Sequence, residues 1–509
     1  MLAAVRSATL LGVEGSPITV EVHVAHGLPS FSVVGLPDES CREARDRVRA
    51  AMASSGLTWP STSRITVNLA PTTRRKGGSG LDLAIAIAVL AATGEIEPAA
   101  VHDVGFVAEL GLDGSLRAVQ GVAPMVATMH HYQQPVMSVV VAPASVPEAL
   151  AVKDLVVRSA PSLRETVDAL RGDAPWPDID VPHADQAPRG APDLADVRGH
   201  DLPRHALAVA AAGGHHLLLV GPPGSGKTML AQRLPGLLPD LDSTAALQAT
   251  MVHSAGGVPL PPTGLLTRPP YRAPHHSSSM VALIGGGSHH LRPGEVSLAT
   301  GGVLFLDELG EFAPSVLDAL RQPLEEGVVR VARAHARATL PASFLLVAAT
   351  NPCPCGGGPP GACSCDDNSR ARYLRRLSGP LLDRFDVRVA VHRPGVDAML
   401  SLVDGESTAD VRQRVELARQ RAVRRGMLNA HIPPSLIDEL APLAPASAKL
   451  LRDQLERHQL TGRGYHRVRR VARTLADLDG EGDVVREPHV ALALQMRVTL
   501  AGAQQRDAA

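Results

Sequence analysis

Polar and apolar residues alternate early in the chain. Residues 18–24 (Ile-Thr-Val-Glu-Val-His-Val), 31–34 (Phe-Ser-Val-Val) and 65–69 (Ile-Thr-Val-Asn-Leu) repeat with a period of two, as half-buried strands do. Residues 39–52 keep their Arg and Glu side chains outward, which predicts a surface helix, whereas residues 81–92 are almost wholly apolar and predict a buried one. A run at 104–112, a turn at Asp113-Gly114 and a strand within 136–141 complete an α/β domain over residues 1–170. Residues 171–192, rich in Pro, Asp and Ala, read as an exposed linker stiffened by proline. A second α/β unit, residues 193–395, has short apolar runs at 217–220, 302–306 and 344–350 and a helix expected over 203–212. Runs of this kind predict strands buried on both faces of a parallel sheet. From 405 to 505 the period becomes helical, in segments 410–426, 435–443, 447–460, 464–478 and 487–500, and predicts an α-helical lid.

Composition narrows the setting. Hydrophobic residues make up 45% and charged residues 20% of the 509, ordinary for globular protein. No apolar stretch reaches the roughly 18 residues needed to cross a bilayer. The start, Met1-Leu-Ala-Ala-Val-Arg, lacks the basic and apolar regions of a signal peptide. Four of the five cysteines are clustered, unlike a secreted disulfide framework, so the expected location is cytoplasmic. Net charge is −1, so any attraction to nucleic acid has to come from local basic surfaces. Aromatic residues at 2% argue against a groove paved with base-stacking rings.

The candidate chemistry begins where an apolar run ends. Gly221-Pro222-Pro223-Gly224-Ser225-Gly226-Lys227-Thr228 follows residues 217–220 and precedes the helix-like segment 229–234. Strand, G-x-x-x-x-G-K-T and helix together define a phosphate-binding loop. Its glycines let backbone N–H groups converge on phosphate oxygens, helped by the helix N-terminus. Lys227 is expected to reach the β/γ-phosphates and Thr228 to ligate Mg²⁺. The apolar strand at 302–306 ends in Asp307 and Glu308: one carboxylate to order Mg²⁺, the other to polarise the attacking water. Asn351, at the end of the run 344–350, is expected between these strand ends, orienting that water. Arg384, in Leu-Leu-Asp-Arg-Phe-Asp at 381–386, is placed to reach the γ-phosphate of a neighbouring subunit.

Two further features carry chemistry. Cys353-Pro-Cys355, seven residues and Cys363-Ser-Cys365 can give a four-thiolate tetrahedral zinc site. C-x-C is less usual than C-x-x-C, and a redox-sensitive loop remains the alternative; Cys41, remote from these, reads as a small core residue. Residues 328–333 and 337–340 alternate about a turn and predict a hairpin, with Arg330, Arg333 and Arg337 available to phosphates. An ordinary solvated hairpin is the alternative.

The order of these motifs resembles AAA+ ATPases and, more narrowly, the magnesium-chelatase-like YifB/ComM family, over nearly the whole chain. The specific pieces are residues 27–37 (Gly-Leu-Pro-Ser-Phe-Ser-Val-Val-Gly-Leu-Pro), 272–277 (Arg-Ala-Pro-His-His-Ser), 283–287, 293–297, 351–356 (Asn-Pro-Cys-Pro-Cys-Gly) and 463–467 (Arg-Gly-Tyr-His-Arg). The resemblance implies ATP as the nucleotide, a homo-oligomeric ring, often hexameric, and Arg463 as a second sensor of the γ-phosphate, with Arg467 as its alternative. It implies that residues 256–293 form an inserted loop directed at the ring pore. His275, His276, His289 and His290 are expected to line that pore, since adjacent His pairs without acidic or Cys partners are poor metal ligands. The N-terminal domain looks like the Lon protease domain, whose Ser–Lys dyad is matched by Ser79 but meets Ala123 at the lysine position. Without a base the serine is not activated, so an inactive fold retained for assembly or docking is expected. The family's role implies DNA, single-stranded or branched, as substrate, by helicase or branch-migration activity in recombination. A protein remodeller and a metal-chelatase-like motor remain alternatives; the fused N-terminal domain is set against the latter.

Overall fold

The computed structural model describes residues 1–72, 76–131, 135–179, 192–287, 291–333, 336–357, 363–377, 379–395, 397, 405–480 and 482–498; for 333, 336, 337, 374, 375, 379 and 380 it describes the backbone alone. The N-terminal sheet runs Ser30–Val34, Ser63–Ala70, Glu14–His26, Leu2–Leu11, Val104–Val107, Ser138–Val141, Val156–Ser159 across its width. Glu14–His26 is antiparallel to both of its neighbours, and the remaining pairs are parallel. Alternate residues feed two cores. Phe106 and Val140 pack with the buried helix Asp82–Thr93, while Val107, Val139 and Val141 pack with the helix Val122–His130. Leu2–Leu11 is a strand the sequence pattern does not single out, because its small Ala, Ser and Thr residues blur the alternation.

The second unit is built on an all-parallel sheet ordered Tyr271–Arg272, Val303–Leu306, Leu345–Thr350, Leu217–Val220, Val387–Ala390. Leu217 and Leu219 face one core and Leu218 and Val220 the other, which is why these strands are apolar throughout. The expected insertion over 256–293 needs correction, because Tyr271–Arg272 within it pairs with Val303 and Leu304 as an edge strand of this sheet. Tyr271 stacks on Phe305, with ring centroids 6.1 Å apart, and so serves the sheet.

The helical region follows the expected pattern with one break. Helices Thr408–Arg424, Pro445–Glu456, Gly462–Asp479 and Glu487–Gln495 form, but the helix expected over 435–443 shrinks to a 3₁₀ turn, Pro434–Leu436, and one α turn, Ile437–Leu440. Pro433, Pro434 and Pro442 bracket it and remove the N–H donors a longer helix needs. Val468, Val471 and Leu475 of the helix Gly462–Asp479 share an apolar core with the sheet. A buried polar chain reinforces that union: His215 Nδ1 lies 2.9 Å from Asp386 Oδ2, and its Nε2 lies 2.8 Å from Thr474 Oγ1. Burial alone would raise the Asp386 pKa, but the His215 ring, with His216 and Arg467 nearby, holds it below the usual carboxylate range.

Beside it, His216 Nδ1 accepts the Leu346 N–H at 3.0 Å and therefore has to be unprotonated. Burial pushes the ring's pKa down to about 4. An unfolded histidine titrates near about 6.5, so between those values the unfolded state binds more protons. This contribution to stability is present above the unfolded pKa and is lost as pH falls through the folded one. Thermal unfolding between about pH 7 and pH 4 should therefore show a steeper loss of Tm in the parent than in His216→Gln, whose amide oxygen can accept the same N–H. Parallel Tm curves for the two proteins would sink this account.

The N-terminal domain is docked on the second unit. Helix Val122–His130 packs against helix Ser243–Gly256, Gln120 Nε2 donates to Ala255 O at 2.6 Å, and Ala123 N donates to Ser254 Oγ at 3.3 Å. Ser254 Oγ in turn donates to Glu148 Oε2 at 2.5 Å. Among the described residues no helix is long and apolar enough to cross a membrane.

Candidate active site

The site forms where three neighbouring parallel strands end. Leu217–Val220 delivers the loop of residues 221–228, Val303–Leu306 delivers Asp307 and Glu308, and Leu345–Thr350, between them, delivers Asn351. The loop's shape depends on its glycines. A Cβ on Gly221 would fall 2.1 Å from Val391 O, and Gly224 and Gly226 adopt φ of +72° and +88°. Gly226 caps the helix Lys227–Leu237, which aims its N-terminal N–H groups into the loop. Pro222 and Pro223 stiffen the loop's entrance, and Ser225 Oγ is buried there without a hydrogen-bond partner. Such an orphaned donor fits a cradle made for phosphate oxygens.

Lys227 Nζ donates to Gly221 O at 2.8 Å, to Pro222 O at 2.9 Å and to Asn351 Oδ1 at 3.1 Å. Burial lowers the lysine's pKa, with Asp307 and Glu308 pulling the other way. Thr228 Oγ1 donates to Asp307 Oδ2 at 2.6 Å. A hydroxyl and a carboxylate oxygen so close offer the hard oxygen donors that Mg²⁺ takes, so the residues fit the ion. Bound there, Mg²⁺ would neutralise charge on the β- and γ-phosphates. Glu308 stands apart from this group. Its backbone is left-handed, with φ of +51°, its N–H donates to Asp307 Oδ1 at 2.9 Å, and its carboxylate is half exposed. A non-glycine residue held in that region at a strand end is backbone strain, of the kind that gathers at functional sites.

Sequence reasoning missed one neighbour of Glu308. His276 Nδ1 lies 3.3 Å from Glu308 Oε2, and its ring meets Phe312 edge-on. His276 was expected in the pore; the contact joins residues far apart in sequence, and its signal was only the motif at 272–277. His275 instead pairs with Ser277 Oγ at 2.8 Å, and His289 and His290 lie outside the described residues.

The arginines are not part of the cluster around Lys227. Arg384 pairs with Glu325 at the surface, and Arg463, 84% exposed, lies 3.6 Å from Asp383. Arg467 is more enclosed and lies 3.5 Å from Asp383 and 3.4 Å from Asp386. The hairpin forms from Val328–Arg333 and Ala336–Pro341; Val329, Val331 and Leu340 are buried, while Arg330 is exposed and paired with Glu326. The side chains of Arg333 and Arg337 lie outside the described residues. Ser79 Oγ donates to Glu109, and Cys41 is buried with its thiol near the Lys76 and Gly78 carbonyls. The sulfurs of Cys353, Cys355, Cys363 and Cys365 lie within 4.8 Å of one another.

A parallel sheet with a phosphate loop, an Asp-Glu strand end and an Asn strand end between them defines a P-loop nucleoside-triphosphatase. Three family models cover the chain in turn: subunit ChlI of Mg-chelatase over residues 20–145, magnesium chelatase subunit ChlI over 193–399, and its C-terminal part over 405–497. An uncharacterized protein of Mycobacterium tuberculosis is 46% identical over 498 residues, 97% of this chain and 98% of its own. The competence protein ComM of Haemophilus influenzae is 41% identical and the uncharacterized YifB of Escherichia coli 40%, each over 502 residues and 97% of both chains. A weaker match, 25% over 192 residues, covers 37% of this chain and 25% of the probable DNA helicase MCM9 of Arabidopsis thaliana. The chain belongs to the magnesium-chelatase-like YifB/ComM family of AAA+ ATPases.

Proposed function

We propose that this protein works as a homo-oligomeric ring, hexameric as is common among AAA+ ATPases, in which ATP hydrolysis remodels single-stranded or branched DNA by helicase or branch-migration activity. Lys227, Thr228 and Asp307 bind Mg²⁺–ATP with the loop 221–228, Glu308 and Asn351 direct the water, and Arg384 and Arg463 act on the γ-phosphate. The proposed cofactors are ATP, Mg²⁺ and, at the four thiols, Zn²⁺, and the proposed location is cytoplasmic. The observation that supports the ring is Arg384, which pairs with Glu325 at the surface and, among the described contacts, with no residue of its own chain's phosphate loop. An arginine so placed completes a site on a second copy. DNA as substrate is supported by full-length likeness to a competence protein, by the local likeness to a probable DNA helicase and by the exposed Arg330 on its hairpin.

The test is steady-state ATP hydrolysis with no nucleic acid, single-stranded, duplex and four-way branched DNA over a range of salt. Stimulation by single-stranded or branched DNA that fades as salt rises is expected, because phosphate contacts release counterions. Hydrolysis indifferent to every DNA would overturn the DNA reading and favour a protein-remodelling or chelatase-like motor.

A further inference from the structure

We infer that Cys353, Cys355, Cys363 and Cys365 hold one zinc ion that braces the hydrolysis machinery, tying Asn351 on one side to the segment leading to Arg384 on the other. The brace, though not the ion, rests on the roles proposed above for those two residues.

The donor set comes first. Sγ–Sγ separations are 3.4 Å for Cys353–Cys355, 3.3 Å for Cys355–Cys363 and 3.3 Å for Cys363–Cys353. Four thiolates around zinc at a bond length of about 2.3 Å stand about 3.8 Å apart; with all four sulfurs within 4.8 Å of one another, small shifts of the first three outward and of Cys365 inward complete a tetrahedron. Sulfur alone, without oxygen or nitrogen donors, selects zinc over Mg²⁺ or Ca²⁺. Binding converts four thiols to thiolates and releases their protons to solvent, leaving a complex of net charge about −2. Arg370, hydrogen-bonded to Cys363, offsets part of that charge. The intervening Gly-Gly-Gly-Pro-Pro-Gly-Ala, residues 356–362, has almost no apolar surface to bury. A closed chelate supplies the ordering that such a sequence cannot supply by burial.

The wiring comes second. Asn351, bonded to Lys227, stands two residues before the wholly buried Cys353. Gly356, at φ of +73°, lies so close to the phosphate loop that a Cβ there would come within 2.4 Å of Pro223 Cδ. On the far side, Cys365 leads into the helix Asp367–Arg376. Its Tyr373 hydroxyl lies 3.0 Å from Thr350 Oγ1, and its ring packs so closely on Gly310 that a Cβ there would lie 2.5 Å from Cε2. Gly310 belongs to the turn that follows Glu308. The chain then passes through the turn Gly379–Leu382 to Arg384. Joining the two cysteine pairs therefore holds the Asn351 strand end, the phosphate loop and the approach to Arg384 in one frame.

The full-length protein, purified under reducing conditions, should carry about one zinc per chain by elemental analysis. Cys355→Ser and Cys363→Ser should each lose most of it, and Cys41→Ala should keep it. Exchange with Co²⁺ should give the visible bands of a tetrahedral all-thiolate site. Releasing the metal with a mercurial and a chelator, then reversing the mercurial, should lower kcat by about tenfold to a hundredfold, with fluorescent-ATP affinity changed far less. Added zinc should restore turnover, which separates bracing from misfolding. Four freely titrating thiols and no metal uptake from added zinc would overturn the site, and iron in its place would overturn zinc. Bound zinc whose removal leaves kcat unchanged would overturn the brace. Stoichiometric zinc in a protein that hydrolyses no ATP, with or without DNA, would overturn the ATPase roles and leave the metal site standing.

Discussion

Glu308→Gln is expected to bind ATP as tightly as the parent and to hydrolyse it about 10²–10⁴ times more slowly. The amide matches the carboxylate in size and can occupy the same left-handed strand end, so the strand, Asp307 and the Mg²⁺ ligands are undisturbed. It cannot accept a proton from water, and no described carboxylate is hydrogen-bonded into the Lys227–Asn351 group to take over. The Glu308 carboxylate pairs with His276 and not with Lys227 or Thr228, which is why affinity and turnover should separate. Single-turnover kinetics beside equilibrium binding would measure both. Turnover at the parent rate would remove Glu308 from the role of polarising water.

Arg384→Ala is expected to cost about 10³–10⁵ in kcat, the range spanned by arginine fingers, with nucleotide binding retained. Among the described residues the side chain is anchored by Glu325 at the surface, so its loss opens no cavity in the core. Mixing supplies the decisive comparison. Lys227→Ala chains have an intact Arg384 but a crippled phosphate loop; Arg384→Ala chains have the reverse. At junctions where an intact loop meets an intact arginine from its neighbour, hydrolysis should return, in proportion to how often such junctions form. Mixtures no more active than their components would mean that Arg384 acts within its own chain or not at all.

What could be read in advance depended on how far apart the cooperating residues lie. The loop 221–228 and the pair Asp307 and Glu308 were legible because each is a contiguous segment, recognisable as a motif before the fold is known. Asn351 was placed between the strand ends by motif order, and its bond to Lys227 has that geometry. The cysteine pairs were visible, but only the fold shows that their sulfurs converge and that Gly356 rests on Pro223. His276 beside Glu308 and Glu325 beside Arg384 were not legible, since each contact joins separate elements; the motif at 272–277 marks His276 without naming its neighbour, and Glu325 belongs to no motif. Strand Tyr271–Arg272 was absorbed into an expected insertion because two residues are too few to show a period. Leu2–Leu11 escaped for the opposite reason: it is long enough, but its side chains are too small to mark a face.

The joint at Ala123 bears on what this chain can become. A Lon-type dyad would require lysine at that position, yet Ala123 is wholly buried and its N–H is committed to Ser254 of the neighbouring unit. Three further methylenes and a cation forced into that contact would cost several kcal/mol through overpacking and an unpaired buried charge, on the order of 3–5 for the charge alone. Peptidase chemistry is therefore not one substitution away. To reach it by that substitution the chain would first have to part its first domain from the second unit, so the union of the two blocks that route.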